Sequence, residues 1–153
     1  MPDRAGVRFE AWRPGRRAAC LALFDANSPE YFAPNERADY ERFLATAGDG
    51  YVLCLEGEEV VGAYGLYARP GGERATLSWI LIAPAAQGAG LGRAIMDRVG
   101  DAARALGAAT VDIATSHKAA SFFARFGARE LGTTTDGWGP GMHRIDMEWS
   151  VGR

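Results

Sequence analysis

The sequence lacks an excess of charge of either sign. It has 17 Lys and Arg residues against 19 Asp and Glu, for a formal net charge of −2. Such a balance provides no overall positive field for nucleic acid or an anionic membrane, so neither partner is expected. No stretch approaches the ~18 apolar residues of a membrane-spanning helix, and the start Met1-Pro2-Asp3-Arg4 lacks the apolar core of a signal peptide. We therefore expect a soluble, cytoplasmic protein.

Cysteine is scarce as well. Cys20 and Cys54 are the two cysteines, and each lies in an apolar run, where a buried reduced thiol is expected rather than a disulfide. The chain has 153 residues, 48% of them hydrophobic, which is enough to build one domain with its own core. We expect a single domain over residues 1–153.

Hydrophobic periodicity predicts alternating strands and helices. Strands are expected at residues 7–12, 51–55, 60–67, 75–82, 110–114, 131–135 and 142–149, and helices at residues 16–26, 40–47, 91–106 and 119–126. Short glycine turns favour antiparallel neighbours, whereas a long helix between two strands favours a parallel pair. The expected fold is α/β of the mixed α+β kind: a mixed, mostly antiparallel sheet of six to seven strands with helices on both faces.

Glycine, by contrast, is plentiful, with 20 residues. Three glycines at 88, 90 and 92 separate the strand at 75–82 from the long helix, and free amides at a helix N-terminus favour a phosphate. A dinucleotide fingerprint is excluded because its third glycine would fall on Arg93, and a Walker loop is excluded because the sequence has no Gly-Lys pair. A phosphate loop of another kind and a tight turn without a ligand both stay open.

The spacing Gln87-x-x-Gly90-x-Gly92 resembles the pyrophosphate loop of the GNAT superfamily of acetyl-CoA-dependent N-acetyltransferases. The order of the expected strands and helices agrees with that family from residue 7 to residue 149. Residues 116–128 are similar to the second signature of the family.

That second signature matches at Ala119, Phe122 and Gly127. Two positions differ from the family: Ser116 stands where the family has Asn, and Phe123 stands where it has Tyr. The strand at 75–82 also contains neither Asp nor Glu, whereas some relatives carry a catalytic Glu there.

The resemblance implies that the strands at 75–82 and 110–114 are a central parallel pair that splays apart. Acetyl-CoA, as co-substrate, would bind in the gap, and no metal is implied. The implied CoA-binding residues are Leu81, Ile82, Gln87, Gly88, Ala89, Gly90, Leu91, Gly92, Arg93, Ser116, Ala119, Phe122 and Phe123.

The reaction that the resemblance implies is direct attack of a neutral amine on the thioester in a ternary complex. Only about one amine in 10³ is neutral at pH 7 when the amine pKa is ~10.4, so a base is useful. We consider His143 for the base, because imidazole titrates near neutrality, and Ser121 for returning a proton to the thiolate. Further candidates are Asp112 and Asp146 for the base, Tyr64 and Tyr67 for the acid, and Thr76 and Ser78 for holding a water.

The acceptor, a small molecule or a peptide with a primary amine, would sit between residues 27–34 and 136–142. Tyr31, Phe32 and Trp138 are predicted to wall its pocket, and Glu30 or Asp136 to attract the cationic amine. Because the family Tyr and the strand Glu are missing, a non-catalytic acyl-CoA sensor on the same fold is the alternative function. A monomer and a homodimer both stay open.

Overall fold

A computed structural model describes residues 6–88 and 90–152. The strands are β1 Val7–Ala11, β2 Tyr51–Glu56, β3 Glu59–Ala68, β4 Arg74–Ile82, β5 Thr110–Ser116, β6 Arg129–Gly139 and β7 Met142–Ser150. The helices are α1 Arg17–Asn27, α2 Glu36–Ala45, α3 Leu91–Ala105 and α4 Ala120–Ala124, with 3-10 turns at Pro14–Arg16 and Pro84–Ala86. Within these described ranges, each helix is too short or too polar to cross a membrane.

The seven strands form one sheet in the order β1-β2-β3-β4-β5-β7-β6. Neighbouring strands are antiparallel except for β4 and β5, which are parallel and joined through α3. This arrangement confirms the expected mixed, mostly antiparallel sheet with a central parallel pair.

The sheet carries a hydrophobic core on each face, as the period-two pattern of its strands requires. In β2, Tyr51, Leu53 and Leu55 pack with buried side chains of α1 and α2, whereas Cys54 packs with those of α3 and α4. Helices on both faces are therefore confirmed.

Both cysteines are free and buried. Burial raises the pKa of the Cys20 thiol to about 11 and that of the Cys54 thiol to about 12. Both side chains are therefore uncharged thiols at neutral pH, as the sequence predicted.

The parallel strands β4 and β5 pair along only part of their length. Their register runs from Arg74 opposite Thr110 to Leu77 opposite Ile113 and then stops. Beyond that point β4 stays bonded to β3, and β5 stays bonded to β7. The two strands therefore diverge, which confirms the splayed pair.

A bulge in β4 lies where the divergence begins. Trp79 and Ile80 together face the single residue Tyr64 of β3, because the register slips at this point. Trp79 has φ of 49°, in the left-handed region that bulky residues rarely adopt. The bulge therefore needs strong support from its surroundings.

Aromatic side chains from α2 and the segment before it supply that support. The Trp79 ring lies 4.8 Å from the ring of Tyr40, 6.0 Å from that of Phe32 and 6.1 Å from that of Phe43, measured between centroids. The Tyr51 hydroxyl donates a hydrogen bond to the Trp79 carbonyl at 2.9 Å. Packing on one side and a hydrogen bond on the other hold the bulge in place.

Most elements differ by one or two residues from their predicted bounds, and α2 begins four residues before the predicted start at residue 40. The helix predicted at 119–126 is the shorter α4, and the strand predicted at 131–135 is the longer β6, which continues to Gly139. Strand β6 bends after residue 135 instead of ending there. Its register against β7 shifts between Thr134 and Gly139, and Asp136 has φ of 54°.

Removing the Tyr51 hydroxyl should destabilise the protein. Tyr51 is 0% exposed, and its hydroxyl lies 2.7 Å from the Tyr40 hydroxyl while donating to Trp79. Tyr51→Phe removes one hydrogen-bond partner of the buried Tyr40 hydroxyl and one of the part-buried Trp79 carbonyl, so we expect the free energy of unfolding to fall by about 1–3 kcal/mol. Urea unfolding followed by circular dichroism measures this loss.

Tyr67→Phe is the matched control. The Tyr67 hydroxyl is also buried but has no hydrogen-bond partner among the described residues. Its removal should leave stability unchanged or raise it. An equal loss in both variants would show that the hydroxyl network does not support the bulge.

Candidate active site

A cavity of about 1040 Å³ opens where β4 and β5 diverge. Small-molecule sites usually have roughly 300–1,000 Å³, so this cavity lies at the upper end of that range. Its walls come from both diverging strands, the loop before α3, α4 and the segment between α1 and α2.

One end of the cavity lies at the N-terminus of α3. Gly90 caps this helix of 15 residues with φ of 90°, a conformation that glycine adopts without strain. The first helical hydrogen bond in this segment runs from the Ala94 amide to the Gly90 carbonyl, so the amides before Ala94 have no partner in their own helix. The helix dipole adds partial positive charge at the same place.

Three cationic side chains line this end: Arg93, Lys118 and Arg125. Within the described ranges, none of them forms an ion pair. The guanidinium groups of Arg93 and Arg125 lie over the rings of Phe126 and Phe122, at 5.5 and 5.7 Å from the centroids. Together with the helix N-terminus they make an anion-attracting surface.

The Ser116 side chain lies at the end of β5 and lines the cavity. It is 5% exposed, and its hydroxyl has no hydrogen-bond partner in the part of the chain that the structure describes. A buried polar group without a partner is costly. A ligand with a polar group in the gap would remove that cost.

Most of the predicted CoA-binding residues come together around this cavity. Those that line it are Leu81, Ile82, Gln87, Gly88, Gly90, Gly92, Arg93, Ser116, Ala119, Phe122 and Phe123. Leu91 is fully buried and does not line the cavity, and Ala89 lies outside the described residues. Gln87 uses its side-chain amide to donate to the Ile82 carbonyl at 3.2 Å. Lys118 and Arg125 also line the cavity but are not among the residues predicted from the sequence, although both are charged and lie within the second signature.

The two residues predicted for proton transfer lie in different places. Ser121 lines the cavity, whereas His143 does not. The His143 ring accepts a hydrogen bond from the Asp136 amide at 3.0 Å and lies 4.6 Å from the His117 ring. Both assignments stay predictions.

The further candidates for the base, the acid and the water site also lie in different places. Thr76 and Ser78 line the cavity, and the Tyr64 hydroxyl accepts a hydrogen bond from Arg98. Asp112 pairs with Arg69 and Arg74, which lower the pKa of its carboxyl, and Asp146 pairs with Arg144.

The other end of the cavity is aromatic. Tyr31, Phe32 and Trp138 line it, whereas Glu30 and Asp136 do not. The Trp138 indole donates to the Thr115 carbonyl at 2.9 Å, which fixes the ring beside the end of β5. Its own carbonyl accepts a hydrogen bond from the Asn35 side chain at 2.8 Å, so β6 is tied to the start of α2.

Glu36 is a cavity-lining residue that the sequence did not single out. It is 4% exposed, and among the described lining residues it provides the one carboxyl group. The carboxyl accepts the Ala33 amide at 2.8 Å, and the Glu36 amide donates to the Ala33 carbonyl at 2.9 Å. This reciprocal pair resembles a capping box. Burial raises the pKa of the carboxyl to about 7, the Ala33 amide opposes that rise, and Asp39 adds to it.

The sequence model of the acetyltransferase (GNAT) family matches residues 20–128. This chain belongs to the GNAT family of acetyltransferases. Its GNAT fold carries the parallel strand pair, the glycine loop and the second signature around one cavity.

Solved structures share this GNAT fold. A putative GNAT acetyltransferase from Desulfovibrio desulfuricans aligns with a TM-score of 0.78 and 23% identity, over 95% of this chain and 99% of that chain. The ribosomal-protein-S18-alanine N-acetyltransferase from Escherichia coli has a TM-score of 0.76 and 15% identity, over 96% and 95%. An aminoglycoside 6'-N-acetyltransferase complexed with coenzyme A has a TM-score of 0.73 and 12% identity, over 94% and 97%. No curated protein sequence matches significantly.

Position 123 is where the resemblance places the tyrosine of the family. Phe123 is buried and lines the cavity, and its ring has no proton to donate. In the described ranges, no group of three or more His, Cys, Asp or Glu side chains could hold a metal ion; the absence of a metal from the reaction stays a prediction.

Glu36→Gln should change how stability depends on pH. The folded protein holds a proton on Glu36 up to a pH of about 7, whereas the unfolded chain releases it near the ordinary value of 4.5. The stability that the neutral carboxyl contributes is therefore complete below pH 4.5 and is lost as the pH rises through about 7. Gln cannot ionise, so the variant should gain melting temperature relative to wild type across this window.

Differential scanning calorimetry at several pH values between the two pKa values and above them measures this trend. The matched control is Glu41→Gln, on the same helix but half exposed and outside the cavity lining. This control should not show the same rise in melting temperature relative to wild type. A constant difference between Glu36→Gln and wild type would contradict an ionisable group buried at this position.

Proposed function

We propose that this protein transfers the acetyl group of acetyl-CoA to a primary amine of a small molecule or peptide, with both reactants bound together in the cavity. The observation that supports this proposal most is the uneven distribution of charged side chains in that cavity. Arg93, Lys118 and Arg125 line the end at α3 and α4, and Glu36 lines the end at α2. A donor with phosphates and an acceptor with an ammonium group suit these opposite ends.

Coenzyme A fits the residues at the cationic end. The α3 N-terminus with its three cations would hold the phosphates, and the unpaired edges of β4 and β5 offer backbone groups to the pantetheine amides. The unpartnered Ser116 hydroxyl offers a further hydrogen bond. When bound, acetyl-CoA supplies the activated thioester. The complex of the aminoglycoside 6'-N-acetyltransferase with coenzyme A supports this choice of donor.

The aromatic end suits an amine on a nonpolar or aromatic stem. Tyr31, Phe32, Trp79 and Trp138 provide flat apolar surface there, and Glu36 provides the one carboxyl group among the described lining residues. An amine acceptor also agrees with two of the similar structures, whose names specify N-acetylation of an aminoglycoside and of an alanine.

Release of the thiolate does not require the family tyrosine. A thiol has a pKa of ~8.5, so its anion is a tolerable leaving group at neutral pH. Ser121 lines the cavity and is exposed to solvent, so water can reach this region. We propose that the departing thiolate takes its proton from solvent, directly or through Ser121.

Thiol release from acetyl-CoA tests the proposed reaction. The probes are 2-phenylethylamine, putrescine and a short peptide with a free N-terminal alanine, with a matched blank that lacks any amine. We expect release above the blank with at least one amine. Tight CoA binding without release for every probe would contradict the proposal and support the acyl-CoA sensor.

Gly90→Glu should weaken CoA binding about 100-fold or more. Gly90 lies in the cavity lining with open space around the position of a Cβ atom, so a carboxylate there would face the phosphates at a cost of several kcal/mol per close pair. Isothermal titration calorimetry with CoA measures the affinity.

Gly71→Glu is the matched control for this substitution. Gly71 has φ of 93° against 90° for Gly90, has the same open surroundings and does not line the cavity. It carries the same backbone strain and added charge, so CoA affinity should be unchanged. Equal CoA affinity in both variants would contradict a phosphate site at the N-terminus of α3.

A further inference from the structure

We propose that Glu36 is the general base of this protein, taking the proton from the ammonium group of the acceptor. This inference rests on the proposed acetyl transfer and names the residue that performs its first proton step. It stands on where Glu36 lies, on which groups share its cavity and on how its carboxyl is held.

A short series of contacts places Glu36 beside the point where the strands diverge. The carboxyl is bonded to the Ala33 amide at 2.8 Å, and the next residue back, Phe32, stacks on Trp79 with 18° between the ring planes. Trp79 belongs to the bulge of β4, two residues beyond Leu77, which is the last residue of β4 that pairs with β5. Glu36 is thus packed through two residues against the opening between the strands.

The other groups in the described cavity lining cannot accept a proton near neutral pH. The charged ones are Arg93, Lys118 and Arg125, which are cations, and no histidine or second carboxyl lines the cavity. Tyr31 is the one tyrosine among the described lining residues. Burial raises the pKa of its hydroxyl, so the hydroxyl keeps its proton. Asp39, on the same helix, is the charged group that acts on Glu36.

The carboxyl of Glu36 is suited to the task by its surroundings. Its burial raises its pKa to about 7, and a base works best when its pKa lies near the working pH. The Ala33 amide is its one hydrogen-bond partner among the described residues. An ammonium group brought into the cavity would provide the missing opposite charge.

The proposed step is balanced in protons and electron pairs. An N–H bond of the ammonium breaks and an O–H bond forms on Glu36. The nitrogen lone pair then forms the new C–N bond as the C–S bond of the thioester breaks, and the sulfur keeps that electron pair. A second N–H bond breaks to give the neutral amide, and that proton passes to solvent. The thiolate takes a proton from solvent, and the Glu36 proton returns to solvent after the product leaves.

A purely structural role for Glu36 is the competing explanation, because its carboxyl also closes the capping box. Gln serves in a capping box as well as Glu does, but it does not titrate. Glu36→Gln therefore keeps the cap and removes the base, whereas Glu36→Ala removes both. Glu41→Gln, on the same helix and outside the lining, is the control for the substitution itself.

The kinetic experiment measures kcat/KM for 2-phenylethylamine against pH. At pH 7 we expect Glu36→Gln to be about 10²–10⁴-fold slower than wild type, with the KM for acetyl-CoA unchanged. The kcat/KM of wild type should reach a plateau above a pH of about 7. The kcat/KM of Glu36→Gln should keep rising through pH ~9, because without the base only the small neutral fraction of the amine can react. Glu41→Gln should follow wild type.

Two outcomes would overturn the role of Glu36. In the first, Glu36→Gln keeps the wild-type rate and pH profile and only Glu36→Ala loses activity. That outcome is expected if Glu36 serves only in the cap. The other is a pH-independent deficit in Glu36→Gln, which is the result of disturbed packing. A wild-type protein that releases no thiol with any amine contradicts the proposed function instead.

A second measurement needs no acceptor. In ¹³C-carboxyl spectra of the full chain, one resonance absent from Glu36→Gln should titrate at a pH of about 7. A resonance that titrates at the ordinary value of 4.5 would overturn the proposal, whatever the activity measurements give.

Discussion

The divergence of β4 from β5 is the constraint on which the rest of the structure depends. Two parallel strands normally satisfy each other's backbone groups, but here the pairing stops at Leu77 and Ile113. Each strand is held away from the other by its outer neighbour. Support on one side comes from the aromatic side chains around Trp79, and on the other from the Trp138 indole bonded to Thr115. The cavity is therefore built into the sheet rather than into a mobile loop.

The charge of the cavity follows from which elements reach its two ends. The crossover from β4 to β5 must place a helix N-terminus at the end of β4, which brings positive dipole charge and Arg93 to one end. The segment between α1 and α2 covers the other end with aromatic rings and turns Glu36 inward. Separating the cations from the carboxylate keeps them from neutralising each other, so each stays available for a ligand of opposite charge.

Periodic and local patterns made much of this predictable. The parallel pair with its antiparallel neighbours, the glycine loop and the second signature depend on spacing along the chain, which the sequence displays. The bulge at Trp79 and the burial of Glu36 depend on contacts between distant segments, such as Phe32 with Trp79. A Glu in the first turn of a helix is also what the helix dipole favours on any exposed helix, so nothing in the sequence distinguishes Glu36 from a surface residue.

In the proposed reaction, Phe123 stands at the position of the family tyrosine and concerns the easier of the two proton transfers. An amine with a pKa of ~10.4 must lose a proton before it can attack, whereas a thiol with a pKa of ~8.5 can depart as an anion. Losing the acid therefore costs less than losing the base. In the proposed reaction, the buried carboxyl of Glu36 supplies the group that the harder step requires, and Phe123 lines the same cavity without a proton to donate. The apolar ring of Phe123 also packs into the core, where an unpartnered hydroxyl would be costly.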